Sequence, residues 1–244
     1  MLLCAAAAGH CAPGAAATRP AEPWPQWCAA HPGAAVHLVV AGSLAHSWAL
    51  VNADLPLASR AELTAYARHQ FQHFHGPAAA AWPLAVWAQG RCHAACALHG
   101  IDLQQLHAQA RAHDVLVLSL QPWWSVALRV ACRIRPQWAR RPRQALVLVD
   151  ASVATWVLCH QGAVQSVSQR RLGAAAGEDL LQHLQAWRAQ DGVDADSMLL
   201  LGCALNGGLA TAFAAQPGAQ RGAQQGSLPA AGADSWPAAQ WVQG

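Results

Sequence analysis

The chain has 244 residues, of which 54% are hydrophobic and only 11% are charged, so it has ample material for a buried core. Every basic residue is an arginine, and the absence of lysine excludes both a Walker-type phosphate loop and Schiff-base chemistry. The net charge of +3 is too small to favour nucleic acid as a partner, and no apolar run approaches the roughly 20 residues that cross a bilayer.

The two ends of the chain differ in composition from the middle. Residues 1–33 are rich in Ala, Pro and Gly without helical or strand periodicity, which predicts a disordered leader. Residues 216–244 are rich in Gln, Gly, Ala and Pro, which predicts a flexible tail. The eight cysteines are spread over a chain too long to need a disulfide scaffold, which favours reduced thiols and a cytoplasmic location. Export is the less favoured alternative, because the apolar stretch Met1–Ala8 lacks a preceding basic segment.

The first half of the remaining chain opens with short apolar strands. Val36–Ala41 and His46–Val51 flank Gly42-Ser43, a pattern typical of a β-hairpin. Two further strands are predicted at Leu84–Ala88 and His93–Leu98.

Helices alternate with these strands. Ser59 and Glu62 form the capping-box pattern at the start of a helix that Gly76-Pro77 ends. Asp102 caps a second helix, and a third helix runs from Pro122 to Pro136. Between these two helices, the continuous apolar run Val115–Leu120 predicts a buried strand.

The second half repeats this order. Three successive strands precede a helix and a final strand: Ala145–Asp150, Thr155–His160, Ala163–Arg170, Glu178–Arg188 and Met198–Leu201. The repetition predicts an α/β fold with two mixed sheets flanked by helices. We therefore expect one domain over residues 34–215, with lobes at about 34–139 and 144–215.

The order of these segments resembles the PilM/GspL-type branch of the actin-like ATPase superfamily, cytoplasmic platform proteins of type IV pilus and type II secretion machines. Ala145–Gly173 is similar to the family's second phosphate-binding hairpin, and Leu38–Val51 is similar to the first. Met198–Gly208 resembles the adenosine-binding turn, and Leu98–Val126 resembles a run of GspL-like sequences. The resemblance implies a duplicated, ribonuclease H-like fold over residues 35–210.

The resemblance also implies a nucleotide site between the lobes. Its positions in this chain are Gly42, Ser43, Asp150, Ser152 and Thr155 on the phosphates, and Gly202, Asn206, Gly207 and Gly208 on the base. The plain alternative is that the side chain of Asp150 ends a strand and caps a turn.

Three departures from the family pattern weaken this site. The family's phosphate turns place Gly two residues after Asp, where the second turn of this chain has Ser152 after Asp150. The first turn, Ala41-Gly42-Ser43, has no Asp to hold Mg²⁺, and Gly202 is followed by Cys203 instead of a second Gly. These departures favour a protein that is not an enzyme and needs no cofactor.

Two clusters could hold a metal ion. Cys92, His93, Cys96 and His99 have ligand-type spacing, but a strand would place the cysteines and the histidines on opposite faces. His69, His73 and His75 lie near a helix end, where a solvated position is favoured over a metal site. No metal ligand is therefore predicted.

The leading hypothesis is a non-catalytic cytoplasmic scaffold of a pilus or secretion-like assembly, which would bind other assembly proteins and reach the inner-membrane face through a partner. One alternative is an ATP-binding actin-like switch, which would require Mg²⁺ and ATP in the cleft. A second alternative is a small metal-binding protein that uses the Cys92–Cys96 cluster. Neither nucleic acid nor a membrane span is expected.

Overall fold

The computed structural model describes residues 2–6, 23–51, 59–89, 92–150, 153–173, 176–191, 193–194, 197–203 and 219–221. The strands are β1 Leu2–Ala6, β2 Ala35–Val40, β3 Ala45–Val51, β4 Leu84–Gln89, β5 Cys92–Leu98, β6 Leu116–Pro122, β7 Arg143–Asp150, β8 Val153–His160, β9 Ala163–Arg171, β10 Met198–Cys203 and β11 Ala219–Arg221. The helices are α1 Trp24–Ala30, α2 Arg60–His75, α3 Leu103–Arg111, α4 Trp123–Ile134, α5 Pro136–Ala139 and α6 Ala176–Asp191, with a short 3₁₀ helix at Pro77–Ala81.

The second lobe, which comprises β7–β11 and α6, is built on one mixed sheet with the strand order β11-β10-β7-β8-β9. β7, β8 and β9 are antiparallel neighbours, whereas β10 runs parallel to β7 and β11 runs parallel to β10. Three antiparallel strands extended by parallel strands on the free side of the first strand are the arrangement expected of a ribonuclease H-like half. The predicted α/β class with mixed sheets and flanking helices is confirmed.

Strand β7 is buried on both faces. Successive side chains of a strand point to opposite sides of the sheet, and each side is covered by a different cluster. Val147 and Val149 pack with Leu180 of α6, and Leu146 and Leu148 pack in the cluster that holds Trp123 and Trp124 of α4. That second cluster also contains Val39 of β2, so one core joins the two halves of the chain.

The first lobe, which comprises β1–β6 and α1–α3, has two three-stranded sheets among its described residues, with the orders β1-β2-β6 and β3-β5-β4. The expected hairpin of β2 and β3 is therefore wrong. β1 pairs antiparallel on one side of β2 and β6 pairs parallel on the other, so both edges of β2 are occupied and β3 pairs with β5.

The capping signals of the helices are confirmed. The Ser59 side chain accepts a hydrogen bond from the Glu62 amide, and the Glu62 carboxylate accepts one from the Ser59 amide. The Asp102 carboxylate accepts hydrogen bonds from the amides of Gln104 and Gln105. These bonds are local, so the sequence spacing is sufficient to predict them.

Strand β6 differs from the buried strand that its sequence predicts. Leu116 is 60% exposed and Leu118 is 45% exposed, and β6 lies at one edge of its sheet, where it pairs with β2 alone among the described strands. Helix α4, which follows β6 directly, turns its apolar face toward the second lobe.

The ends of the chain also differ from the expectation of a structureless leader and tail. Helix α1 buries Trp24 and Cys28 against α3, and the Trp24 indole N–H donates to the Leu106 carbonyl oxygen at 3.0 Å. The leader contributes strand β1, and the tail contributes strand β11. The expectation is wrong for these three segments because their apolar and backbone groups find partners far away in the sequence. No helix in the described part of the chain is long and apolar enough to cross a bilayer.

Candidate functional site

The turn after β2 and the end of β7 meet between the two lobes. The Gly42 amide donates to Asp150 Oδ2 at 3.1 Å, although 108 residues separate them in the sequence. In the phosphate interpretation this backbone amide would face the nucleotide. Here it faces a carboxylate of the protein itself, so Asp150 supplies the anion that such an amide attracts.

Gln169 of β9 lies beside this contact and bonds to both lobes. Its Nε2 donates to the Gly42 carbonyl oxygen and to Thr155 Oγ1, each at 3.3 Å. Its Oε1 accepts from the Ser47 amide of β3 at 2.8 Å. One amide side chain thus uses donor and acceptor together to hold β3 and the Gly42 turn against the second lobe. We call Gly42, Ser47, Asp150, Thr155 and Gln169 the interlobe latch.

Helix α4 contacts the latch through a hydrogen bond to Ser47. The Trp124 indole N–H donates to Ser47 Oγ at 2.9 Å, and both side chains are buried. A buried tryptophan is stable when its N–H has a partner, and this bond provides one.

The Gly42 turn packs closely against the second lobe. A Cβ at Gly42 would lie 3.3 Å from Thr155 Oγ1, 3.4 Å from Val153 Cγ1 and 3.5 Å from Gln169 Nε2. A side chain at Gly42 would therefore require the Thr155 hydroxyl to shift by a few tenths of an ångström.

The structure brings together Gly42, Asp150 and Thr155 of the predicted nucleotide positions. Ser43 is exposed in the turn and Gly202 pairs with Val149 in the sheet. Ser152, Asn206, Gly207 and Gly208 lie outside the described residues. Gln169, Ser47 and Trp124 also belong to this site, although none of them is among the residues predicted from the sequence. The register of the β8–β9 hairpin places Gln169 opposite Thr155, and this is the one feature that could have indicated Gln169 as a site residue.

The predicted C-H-x-x-C-x-x-H cluster lies on and just after strand β5. Cys96 is 1% exposed, and burial raises the pKa of its thiol to about 12, with a smaller opposing effect from a hydrogen bond to Ser47. Among the described residues, no group of three or more His, Cys, Asp or Glu side chains is placed to hold a metal ion.

His75, one of the three histidines of the predicted cluster at His69, His73 and His75, contacts rings of other elements. It joins His46 and His99 around the Trp82 indole, and the His46 ring stacks on Trp82 with centroids 5.3 Å apart. Burial lowers the pKa of His46 to about 4, with smaller contributions from the charges of His75, His99 and Arg171. Burial, followed by the charge of His99, also lowers the pKa of His75.

These shifts predict an acid-sensitive fold. The pKa of His46 is about 4 in the folded protein and about 6.5 in the unfolded chain, so the unfolded chain binds more protons between these values. Stability is therefore lost as the pH falls from about 6.5 toward about 4. We expect His46→Phe, which keeps a ring on Trp82, to reduce the slope of unfolding free energy against pH in this window. Urea titrations at several pH values measure it, and an unchanged slope would contradict the assignment.

Comparison with known proteins gave solved structures only, since neither a protein-family model nor a curated protein matches the chain. A protein of Bacteroides thetaiotaomicron with an actin-like ATPase fold matches at 10% identity and a TM-score of 0.47, over 73% of this chain and 63% of that one. The PilM-PilN type IV pilus biogenesis complex matches at 13% identity and a TM-score of 0.49, over 73% and 66%. The cytoplasmic domain of EpsL, an inner-membrane component of the Vibrio cholerae type II secretion system, matches at 13% identity and a TM-score of 0.41, over 73% and 65%.

The chain spans slightly less than two thirds of the length of each of these three structures. At such low identity, the similarity concerns the fold. The chain is an α/β protein built from mixed sheets flanked by helices. Its structural neighbours include a protein with an actin-like ATPase fold, PilM and EpsL, which are the types of protein that its segment order resembles.

Proposed function

We propose that the chain is a non-catalytic, cytoplasmic scaffold of an assembly related to type IV pilus or type II secretion machines. The proposal rests on the interlobe latch. The Gly42 amide, which a nucleotide phosphate would need, is bonded to Asp150 at 3.1 Å, and Gln169 bonds to both lobes beside it. A cleft held by its own side chains favours a fixed shape that partner proteins recognise. The neighbours from pilus and secretion systems agree with an assembly role.

Titration with Mg-ATP tests whether the chain binds a nucleotide. We expect neither heat of binding in calorimetry nor a thermal shift at about 1 mM Mg-ATP, whereas a ligand at about 100 times its Kd would stabilise the fold by about 2.7 kcal/mol. Saturable binding by the natural chain that disappears in Asp150→Ala would overturn the scaffold proposal and support the ATP-binding switch.

Partner capture tests the scaffold itself. Tagged protein recovered from its own cells should retain a stoichiometric assembly protein, and the pair should survive both ATP depletion and excess ADP. Recovery without any partner would count against the scaffold. A pair that dissociates when the nucleotide is changed would instead favour the switch.

A further inference from the structure

The arginines of the chain are unevenly distributed. Six of the 15 basic residues lie between Arg129 and Arg143, and no acidic residue occurs between Asp114 and Asp150. Because a solvated protein surface normally mixes charges of both signs, this segment is unusual.

The arginine-rich segment runs from the last turns of α4 through α5 to the start of β7. Helix α4 ends just before the single turn of α5, and the chain then enters β7 at Arg143. The Gln144 side chain donates to the carbonyl oxygens of Ala139 and Arg141, and these bonds fix the link between α4 and β7. Five arginines of this link are exposed, and we call four of them the basic corner: Arg133, Arg135, Arg140 and Arg143.

Two neighbouring arginines, Arg141 and Arg129, are not included in the basic corner. Arg141 approaches Ser197 Oγ at 3.4 Å, next to an acidic stretch of sequence that includes Asp194, so it is not counted. Arg129 is half-buried, and burial together with the charge of Arg133 lowers the pKa of its guanidinium. Positive charges are therefore close enough here to act on one another.

Arg143 of the basic corner lies far from Asp150 of the interlobe latch. Arg143 begins β7 and Asp150 ends it, a span of about 23 Å at about 3.3 Å per residue. The two features can therefore be changed separately.

We propose that the basic corner docks the protein on an anionic phospholipid bilayer. Guanidinium groups bind phosphate oxygens well, and a fluid layer of headgroups can adapt to a compact cluster of charges. Single-stranded nucleic acid would need stacking aromatics beside the arginines, and Trp138, the tryptophan of this link, is 4% exposed with its indole N–H bonded to the Ser197 carbonyl oxygen. This inference goes beyond the proposed scaffold role and does not depend on it.

The binding should be reversible and sensitive to salt. Four charges near a bilayer give modest attraction, and charges on a surface are screened within about 10 Å at about 0.1 M salt. We expect sedimentation with equimolar phosphatidylcholine and phosphatidylglycerol vesicles at about 0.05 M NaCl, and its loss at about 0.5 M NaCl. Vesicles of phosphatidylcholine alone should leave the protein in the supernatant.

A matched pair of triple variants tests which arginines act. Arg133→Gln/Arg135→Gln/Arg140→Gln should weaken the partition onto anionic vesicles by about 10- to 100-fold. Arg60→Gln/Arg111→Gln/Arg170→Gln removes the same charge from exposed positions elsewhere and should change it by less than about 3-fold. Equal losses in both variants would overturn the proposal, since net charge alone would then explain the binding.

Two further results would overturn it. One is binding of the natural chain to phosphatidylcholine vesicles as strong as to anionic ones. The other is tighter binding to a single-stranded RNA of mixed sequence than to anionic vesicles, lost in the first triple variant. If that variant fails to fold, the lipid and salt dependence of the natural chain still decides the matter.

Discussion

Leu148→Ala is expected to lower the free energy of unfolding by about 3–5 kcal/mol, because it removes a fully buried leucine from a well-packed core. Leu148 lies in the cluster that also holds Val39 of the first lobe and Trp124 of α4. A core shared by both halves should unfold as one unit. We therefore expect a single urea transition that moves to lower denaturant without a change in slope.

The matched control for this variant is Leu118→Ala. Leu118 is 45% exposed on the edge strand β6, so truncation should change the unfolding free energy by less than about 1 kcal/mol. Two separate transitions in Leu148→Ala would show that the lobes fold independently and that the shared cluster does not couple them.

Gln169→Ala is expected to destabilise the protein by about 2–4 kcal/mol, since it removes the side chain that bonds both lobes. The Ser47 amide would lose its acceptor at 2.8 Å, and Ser47 is only 8% exposed. A buried N–H without a partner costs about 1–3 kcal/mol. Thr155 Oγ1 and the Gly42 carbonyl oxygen would each lose a donor as well.

Hydrogen exchange provides the specific readout for Gln169→Ala. The Ser47 amide should be protected in the natural chain and exchange markedly faster in the variant, beyond what the loss of global stability explains. Ser168→Ala on the same strand is the control, because Ser168 is exposed. Unchanged protection of the Ser47 amide in Gln169→Ala would show that the bond to Gln169 does not hold β3.

The sequence predicted contacts between residues that are close together in the chain better than contacts between residues that are far apart in it. The capping box of Ser59 and Glu62 spans three residues, and the β7–β9 meander consists of apolar strands joined by short connections. Such elements follow from backbone geometry and side-chain period alone. The same local reasoning failed at β2, where the Gly42-Ser43 turn indicated a hairpin but β1 and β6 occupy both edges of the strand.

The candidate site shows the same limit. The sequence placed Gly42, Asp150 and Thr155 at one site by resemblance, and the structure brings them together. It contained no sign that Gln169 would bond to Ser47, 122 residues away, or that Trp124 would support that bond from a third element. Polar residues on strands have many available partners, and register in one hairpin does not identify a partner in another lobe.

By itself, the sequence determined the α/β class, the positions of most strands and helices, and the departures from a working phosphate site, because these depend on residue type and short-range spacing. Only the tertiary structure decided which strands share a sheet, that Leu116 and Leu118 of β6 are exposed, and that Asp150 and Gln169 bond to Gly42. Those features depend on contacts between residues far apart in the sequence, such as the 108 residues between Gly42 and Asp150, and packing of the whole chain selects among the competing partners.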